Sequence, residues 1–309
     1  MARSSRLALD KLLTIPAIPD WIRQTQPQTA EDASFFAGAA LVALHPIAQS
    51  DHPIGRLWRQ RLALSATMRL VAAGGLIEDE VALREAYCLY RPGDDPGPGG
   101  RILLAWRALT EPSTSDLPNT AKRLAALLEL HVSDSLMDLL AAAPAPGQGV
   151  WSAISTTAAV FATSLASDSS DRSLALWLAD IVLARSLNWP APVPLLALSI
   201  RFADLSCPPH DPRELLAVVS SAYVRAAADA FDLHYDLACR ARTLLAIAPK
   251  LRSRHARTTV DLLLQEDALP AAEGKTASSR ANRHLFNRLV ELGVVRELTG
   301  RASSQLYGL

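Results

Sequence analysis

The residues whose types and spacing could do chemistry gather near the C-terminus. Between 278 and 292 the sequence predicts a helix on which five polar side chains share one stripe: Arg280, Arg283, His284, Asn287 and Glu291. Four of these side chains can donate hydrogen bonds to phosphates or base edges, and arginine and asparagine are common readers of the DNA major groove. The pattern therefore predicts a surface that binds nucleic acid.

The opposite face of this predicted helix is apolar, as the helical period of 3.6 residues requires for a helix packed on a core. Ser278 and Ser279 offer hydroxyl groups for its N-cap, and Gly293 suits the left-handed residue that ends a helix. The predicted buried residues are Ala281, Leu285, Leu289 and Leu292, widened by Phe286 and Val290.

Two short strands follow the helix in the predicted order of elements. Residues 294–298 and 303–307 have strand composition, and the Thr-Gly-Arg sequence at 299–301 predicts the tight turn between them. With a preceding apolar helix, this order predicts a winged helix-turn-helix whose wing is a β-hairpin. Arg301 at the hairpin tip is expected to reach a phosphate or the minor groove.

The charge of the chain is unevenly distributed. Residues 249–309 contain ten basic and six acidic residues, a net charge of +4, so the remainder of this neutral chain carries −4. Such asymmetry marks one end as the end that faces an anion, and Lys250 and Arg254 are expected to contact phosphates there. The alternative stays open, because winged helices also dock proteins and basic stripes are often only solvated faces. Glu291 also opposes deep insertion into a groove.

Several stretches of the sequence match the pattern of one bacterial family. They are 279–281, 285–293, 296–301 and 306–309 near the C-terminus, and 37–41, 93–101 and 174–196 earlier in the chain. Through them the sequence resembles the family catalogued as a domain of unknown function, DUF1403. This resemblance implies no activity, because the family has none assigned. The C-terminal stretch also resembles the C-terminal winged helix of Fic-type proteins.

A glycine-rich loop at 93–101 opens a predicted helix, where free N–H groups can hold an anion. Asp94 and Asp95 oppose that use, and the loop has neither a Walker A nor a Rossmann pattern. The loop is similar to the Fic catalytic loop in being acidic and glycine-rich, but it lacks the His and Asn of that motif. A degenerate Fic-like enzyme therefore remains a third hypothesis, for which we expect no nucleotidyl transfer.

Cysteine and histidine residues do not form an evident metal site or catalytic set. Cys207 and His210 have CxxH spacing, but zinc needs three or four ligands, and His234 and Cys239 lie on different helix faces. The other histidines are scattered, without the partners of a catalytic triad. We therefore expect no metal, no cofactor and no catalytic residues, which favours a non-enzymatic role without deciding it.

The rest of the composition predicts a mainly α-helical protein with a multi-helix globular body. Half of the 309 residues are apolar, enough for a sizeable core, and alternation with period two is confined to the wing. We expect an all-helical body at 1–248, with a lobe boundary near 144–149, and the winged helix-turn-helix at 249–309. Three cysteines give no disulfide framework, and no signal peptide or membrane span is evident, which indicates the cytoplasm.

Individual helices of the body can be predicted from periodicity and from Pro and Gly residues. Residues 1–30 are expected to be a poorly ordered lead with short helical pieces around Trp21, and a helix capped near Thr29 is expected to run over 32–44 and end at His45-Pro46. An amphipathic helix is predicted at 56–73, before Gly74-Gly75. The later predicted helices are 78–90, 102–109, 120–130, 133–142, 151–165, 174–187, 195–205, 214–229 and 232–247.

The hypothesis favoured by these observations is a DNA-binding protein, such as a transcriptional or plasmid-associated regulator, that contacts double-stranded DNA through the C-terminal winged helix. The body would then serve dimerisation or an effector function, and a homodimer is compatible with the sequence. The alternative is a helical interaction protein whose winged helix docks a partner protein.

Overall fold

The structure is a computed structural model that describes residues 2–91, 94–110, 117–128, 130, 132–142, 150–166, 172–251, 256–271, 277–300 and 305–309. Within these ranges the chain is mainly helical, as predicted, with fifteen α-helices and one small sheet. The first nine helices are α1 (Ala2–Leu12), α2 (Asp20–Arg23), α3 (Ala30–Gln49), α4 (Gly55–Ala73), α5 (Glu80–Cys88), α6 (Gly97–Leu109), α7 (Leu117–Leu127), α8 (Asp134–Ala141) and α9 (Val150–Ala166). The other six are α10 (Arg172–Ser186), α11 (Leu196–Ser199), α12 (Phe202–Ser206), α13 (Pro212–Ile247), α14 (Ala256–Leu263) and α15 (Ala277–Glu291).

The small sheet lies in the C-terminal segment. Its strands are β1 (Leu269–Pro270), β2 (Arg296–Glu297) and β3 (Leu306–Gly308), in the antiparallel order β1-β3-β2. Tyr307 is the central residue, because it pairs with Leu269 on one side and Glu297 on the other. The predicted hairpin is present, although its strands are shorter than the sequence indicates, and β1 was not predicted at all.

Helix starts follow the capping chemistry of the sequence. The Thr29 hydroxyl accepts a hydrogen bond from the Asp32 N–H at 3.0 Å, so the predicted N-cap of α3 is confirmed. Asp79 caps α5 in the same way, through a 2.7 Å bond from the N–H of Ala82. These side chains satisfy N–H groups that have no partner within the first helical turn.

The prediction that α3 ends at His45-Pro46 is wrong, because the helix continues to Gln49 with Pro46 inside it. An internal proline costs about 3 kcal/mol through a lost hydrogen bond and a steric clash. Ile47 and Ala48, which follow it, are fully buried. Burying an isoleucine side chain contributes about 1.5–3 kcal/mol, which is comparable with that cost, so the last turn is retained.

The helices predicted at 214–229 and 232–247 form one continuous helix, α13, of 36 residues. No Gly or Pro interrupts the chain between Arg213 and Ile247, and Ala230 and Phe231 at the predicted break are buried. Because Ala230 and Phe231 pack in the core as helical residues, the backbone continues as a helix through the predicted break. The helix predicted at 195–205 shows the opposite error, because extended backbone at Ile200 divides it into α11 and α12.

The N-terminal residues are also better packed than the sequence indicates. Residues 2–30 include α1 and α2, and the side chains of Leu9, Ile18 and Ile22 are buried in the core. Arg23 forms a two-pronged ion pair with Asp232 of α13, with both N–O distances at 2.7 Å. The short helical piece expected around Trp21 is present as α2, whereas the expectation of a poorly ordered lead is wrong for the residues described.

The bounds predicted for α4 are confirmed within one residue, and its buried side is wider than that of an ordinary amphipathic helix. Trp58, Arg59 and Gln60 are all buried, as are most other residues of the helix. The Trp58 Nε1 group donates a 2.8 Å hydrogen bond to the carbonyl of Ala230 in α13. Arg56 and Arg69 are exposed whereas Arg59 is buried, so an arginine in this helix does not by itself mark the solvent face.

A buried carboxylate joins α10 to its neighbours. Asp180, in the middle of α10, accepts hydrogen bonds from the N–H groups of Leu195 and Leu196 at 2.9 and 3.2 Å, and from the Tyr223 hydroxyl at 3.0 Å. Burial raises the pKa of Asp180 to about 7, although the three donors act in the opposite direction. The side chain thus holds the start of α11 and the middle of α13 against α10.

One buried apolar cluster extends from the helical body into the C-terminal segment and includes Leu285, Phe286 and Tyr307. The division into domains at 248 and 249 stays a prediction, and the expected boundary at 144–149 lies outside the residues described. None of the described helices combines the length and the apolar character that crossing a membrane requires.

Candidate nucleic-acid interface

The middle of α15 is fixed against the sheet by its apolar face. Leu285, Phe286 and Leu289 are buried, and the Phe286 ring stacks on Tyr307 of β3 with 4.6 Å between centroids. Gly293 ends the helix with a φ of +68°, in the left-handed region where glycine is favoured. These predicted features of the helix are confirmed.

The predicted polar residues of α15 lie on its free side. Arg283, His284 and Asn287 are exposed to solvent. Because Arg283 and Asn287 are four residues apart, they lie on the same face about one helical turn apart. Arg280 belongs to the same helix one turn earlier. The helical body therefore leaves Arg283, His284 and Asn287 uncovered.

The other predicted contact residues are only partly placed. Lys250 is exposed in the 3-10 turn Ala248–Lys250, between α13 and α14. Arg254 and Arg301 lie outside the described residues, so their predicted phosphate contacts stay predictions.

The two ends of α15 differ from the prediction. Ala281, Val290 and Leu292 were expected on the buried face, but all three are exposed. Among the side chains of α15 whose burial is described, the buried apolar ones are Leu285, Phe286 and Leu289, in the middle of the helix. Near the C-terminal end, Glu291 pairs with Arg288 at 3.0 Å, which neutralises one of the cations of the helix.

An ion cluster that was not predicted attaches the C-terminal segment to the body. Asp267, two residues before β1, is fully buried among arginines of α4, α5 and α6. Arg84 and Arg107 donate to its Oδ2 atom at 2.9 Å each, and Arg61 contacts its Oδ1 atom. The partners are 160 to 206 positions apart in sequence, so no local spacing reveals them.

The electrostatics of this cluster favour the charged form of Asp267. Burial raises the pKa of its carboxyl group, but the guanidinium groups of Arg61, Arg84 and Arg107 outweigh that effect and hold the pKa below its usual value. Three buried cations thus surround one buried anion. Arg84 also pairs with a second carboxylate, that of the exposed residue Glu80, at 2.7 Å.

Backbone and amide contacts reinforce the attachment. The Gln60 side chain accepts a 2.9 Å hydrogen bond from the Asp267 N–H and donates one of 2.9 Å to Glu266. Arg56 of α4 also pairs with Glu266 at 3.2 Å. Two of the acidic residues of the C-terminal segment are therefore directed toward the body.

The glycine-rich loop is occupied by carboxylates of the protein itself. Asp95 accepts the N–H of Gly97 at 2.9 Å, and Glu78 accepts that of Gly99 at 3.3 Å, both at the start of α6. A Cβ atom at Gly99 would lie against the Glu78 carboxylate, so glycine allows this close approach. The N–H groups that could hold an external anion are already bonded.

Cys207 and His210 are exposed on the loop after α12, whereas His234 is buried within α13. In the described part of the chain, no group of three or more His, Cys, Asp or Glu side chains could hold a metal ion. The sequence analysis missed one pairing of histidines: His52 and His234 meet edge to face, with 5.0 Å between ring centroids.

The fold and the exposed face define a helical protein with a small C-terminal sheet and a cationic, uncovered helix beside it. A family model described as "Protein of unknown function (DUF1403)" matches residues 6–309, so the chain belongs to this family. The resemblance to DUF1403 is thereby confirmed, whereas the comparisons give no support to the Fic-like similarity. No curated protein matches the chain significantly.

Proposed function

We propose that the protein binds double-stranded DNA through its C-terminal segment, with α15 facing the major groove. The observation that carries the proposal is the exposure of Arg283, His284 and Asn287 on one side of a helix whose other side is buried. These side chain types donate to phosphates and to base edges.

The charge distribution supports the same function. Of the six acidic residues in 249–309, Asp267 is enclosed by body arginines and Glu266 pairs with Arg56 and Gln60. The charge that this segment presents to solvent is therefore more positive than its composition indicates. A positive surface attracts the DNA backbone and supplies affinity that does not depend on base sequence.

The order of elements supports a winged-helix arrangement. The helix α15 lies between β1 and β2, and the β2-β3 hairpin forms a sheet in the order β1-β3-β2. In this arrangement α15 is the recognition helix and the hairpin is the wing. Since β1 separates α14 from α15, the two helices are joined by a strand rather than by a tight turn.

The experiment measures affinity for a random-sequence duplex by fluorescence anisotropy over a range of salt concentrations. An Arg283→Ala variant should lower the salt slope by roughly one unit if Arg283 contacts phosphate. If it reads a base, the loss should be about 1–3 kcal/mol on the preferred sequence. Folding should be unaffected, because the side chain is exposed.

Arg213→Ala is the matched control, because Arg213 is a highly exposed arginine on α13 of the body. It removes the same charge and should leave the affinity for DNA unchanged. Equal losses in both variants, or no binding of duplex at low salt, would refute the proposal. An Arg280/Arg283/Arg301 triple alanine variant that still binds normally would refute it as well.

A second candidate function is the docking of a partner protein, favoured by the exposure of Val290 and Leu292 at the end of α15. Apolar side chains in the terminal turn suit a protein partner better than a phosphate backbone. In that case, replacing Val290 and Leu292 with serine should abolish capture of the partner. Under the DNA proposal, the same variant should keep its affinity for duplex.

A further inference from the structure

A cleft of about 730 Å³ lies between the body and α14. Its walls come from α1, the turn between α3 and α4, the end of α6, the loop after α10, and α14. The cleft is separate from the exposed face of α15, because none of the residues that line it belongs to that helix.

Arg59 lines this cleft and is almost fully buried, with 6% of its surface exposed. Its Nη2 and Nη1 atoms donate to the carbonyls of Ala48 at 2.7 Å and Gly55 at 3.3 Å, but its Nε atom has no partner among the described residues. Within the described residues no carboxylate lies at ion-pair distance from its guanidinium, and Asp51 acts on it only from farther away. The C-terminal carbonyls of α3 supply about half an opposite charge, which does not balance a buried cation.

His52 lies beside Arg59 in the same cleft and is 8% exposed. Neither ring nitrogen has a hydrogen-bond partner within the described residues, and the carbonyl of Ile47 is near but outside hydrogen-bond geometry. A buried imidazole without partners is costly, because the lost hydrogen bonds to water are not replaced. Its uncharged form has one N–H donor, and since both ring nitrogens are buried, a bound group reaches that donor when the ring turns toward the cleft.

Gly55 leaves room between these two side chains. A Cβ atom there would lie 3.3 Å from both Nη1 of Arg59 and Nε2 of His52, closer than side chains ordinarily approach. Asp51 and Asp261 also line the cleft and add negative charge to it, whereas Arg56, which lines it too, is paired with Glu266. The cleft thus combines a cationic floor with acidic side chains.

We propose that this cleft binds a small molecule with one carboxylate or phosphate group, which contacts Arg59 and His52, and with a cationic opposite end. The anionic group supplies the counter-charge that Arg59 lacks and accepts the imidazole N–H. The cationic end matches Asp51 and Asp261, which repel a molecule that is anionic at both ends. This inference does not involve DNA, so its outcome is independent of the function proposed above.

Calorimetric titration of the full chain tests the proposal with three probes. The probes are 4-aminobutyrate, which joins a carboxylate to an amine, phosphoethanolamine, which joins a phosphate to an amine, and succinate, which is anionic at both ends. At least one of the first two should bind with a Kd below about 10 mM, and succinate should bind at least about tenfold more weakly than that probe. Whichever of these two amine-bearing probes binds more tightly shows whether the cleft prefers a carboxylate or a phosphate.

Two pairs of variants locate the binding. Arg59→Gln should weaken it by at least about tenfold, whereas Arg69→Gln, on the same helix but outside the cleft, should leave it unchanged. His52→Phe should weaken binding while raising the melting temperature of the free protein, because it removes two buried nitrogens without partners. His234→Phe, which alters the adjacent ring that does not line the cleft, should not affect binding.

The combination of higher stability with weaker binding in His52→Phe would not arise from a purely structural role. If Arg59→Gln does not fold, the two histidine variants still decide the matter. Failure of both amine-bearing probes to bind would overturn the proposal. Unchanged binding in His52→Phe would also overturn it. So would tighter binding of succinate than of 4-aminobutyrate and phosphoethanolamine.

Discussion

At the scale of single residues, Asp267 is the anion on which three buried arginines depend. Asp267→Asn leaves the guanidinium groups of Arg61, Arg84 and Arg107 without their shared counter-charge. Breaking a buried ion cluster from one side costs about 3–5 kcal/mol, so the free energy of unfolding should fall by about that amount in urea denaturation.

The exposed pair between Arg288 and Glu291 is the control for this effect. Glu291→Gln should change the free energy of unfolding by less than about 1 kcal/mol, since a solvated ion pair contributes little. Equal effects of the two substitutions would contradict the importance assigned to the buried cluster.

The buried histidines predict a dependence of stability on pH. Burial, together with the nearby His234 and Arg59, lowers the pKa of His52 to about 3, and burial lowers that of His234 to about 4. In the unfolded chain both titrate near 6.5. As the pH falls below about 6.5, the unfolded chain binds protons at these two histidines that the folded chain does not, so their contribution to stability is lost toward lower pH. Asp180, whose pKa is raised to about 7 in the folded chain, acts in the opposite direction over this range.

The loss should approach about 1.4 kcal/mol per pH unit for each histidine. The measurement is urea denaturation between pH 7.5 and pH 5, from about one unit above to about 1.5 units below the pKa of histidine in an unfolded chain. A variant with both His52→Phe and His234→Phe should show a flatter profile in this range. An unchanged slope in the double variant would show that other groups cause the acid sensitivity.

At the scale of elements, the hydroxyl of Tyr223 joins α13 to α10. Tyr223→Phe removes one of the three donors to the buried carboxylate of Asp180. An unsatisfied buried acceptor costs about 1–3 kcal/mol, and thermal and urea unfolding should both show that loss. Tyr235→Phe on an exposed part of the same helix should cost less than about 0.5 kcal/mol; a comparable loss there would contradict the explanation.

The apolar face of α15 makes a separate prediction. Leu285→Ala should cost about 2–5 kcal/mol, because it opens a cavity between the helix and the sheet. Hydrogen exchange should increase first in β3, where Tyr307 stacks on Phe286. Arg283→Ala should leave hydrogen exchange in β3 unchanged, because it removes an exposed side chain and not a packing contact.

The sequence was informative about elements whose boundaries are set by local chemistry. Thr29 and Gly293 mark a helix start and a helix end because capping and left-handed backbone favour those residue types. The sequence misled where tertiary burial overrides a local signal, as at Pro46 inside α3. The two-residue strand β1 is too short to show alternation, and pairing with β3 alone defines it.

For the candidate site, the exposed residues of α15 could be predicted because helical periodicity separates its two faces. The buried polar groups could not. Arg59 and Arg61 have the residue type of a solvent face, and only contacts with distant segments show that they are buried. Long-range pairing of this kind has no signature in a single sequence.

At the scale of the whole molecule, the helical body and the C-terminal segment share one core and one ion cluster. A chain shortened to residues 1–248 would leave Arg61, Arg84 and Arg107 without Asp267 and would expose the apolar surface that the C-terminal segment covers. We expect this fragment to melt at a lower temperature than the full chain and to bind a dye for exposed apolar surface. Unchanged melting would establish the body as an independent domain.

One turn of α4 places four consecutive side chains against four different segments. Trp58 bonds to α13, Arg59 to the end of α3, Gln60 to the segment before β1, and Arg61 to Asp267 and to the carbonyl of Leu309. Most surface helices tolerate substitution with a period of 3.6 residues, because one side is free. A saturation scan of this turn should instead find that substitutions are poorly tolerated at all four positions. The pattern of tolerated substitutions would then lack the 3.6-residue period by which a helix is usually recognised.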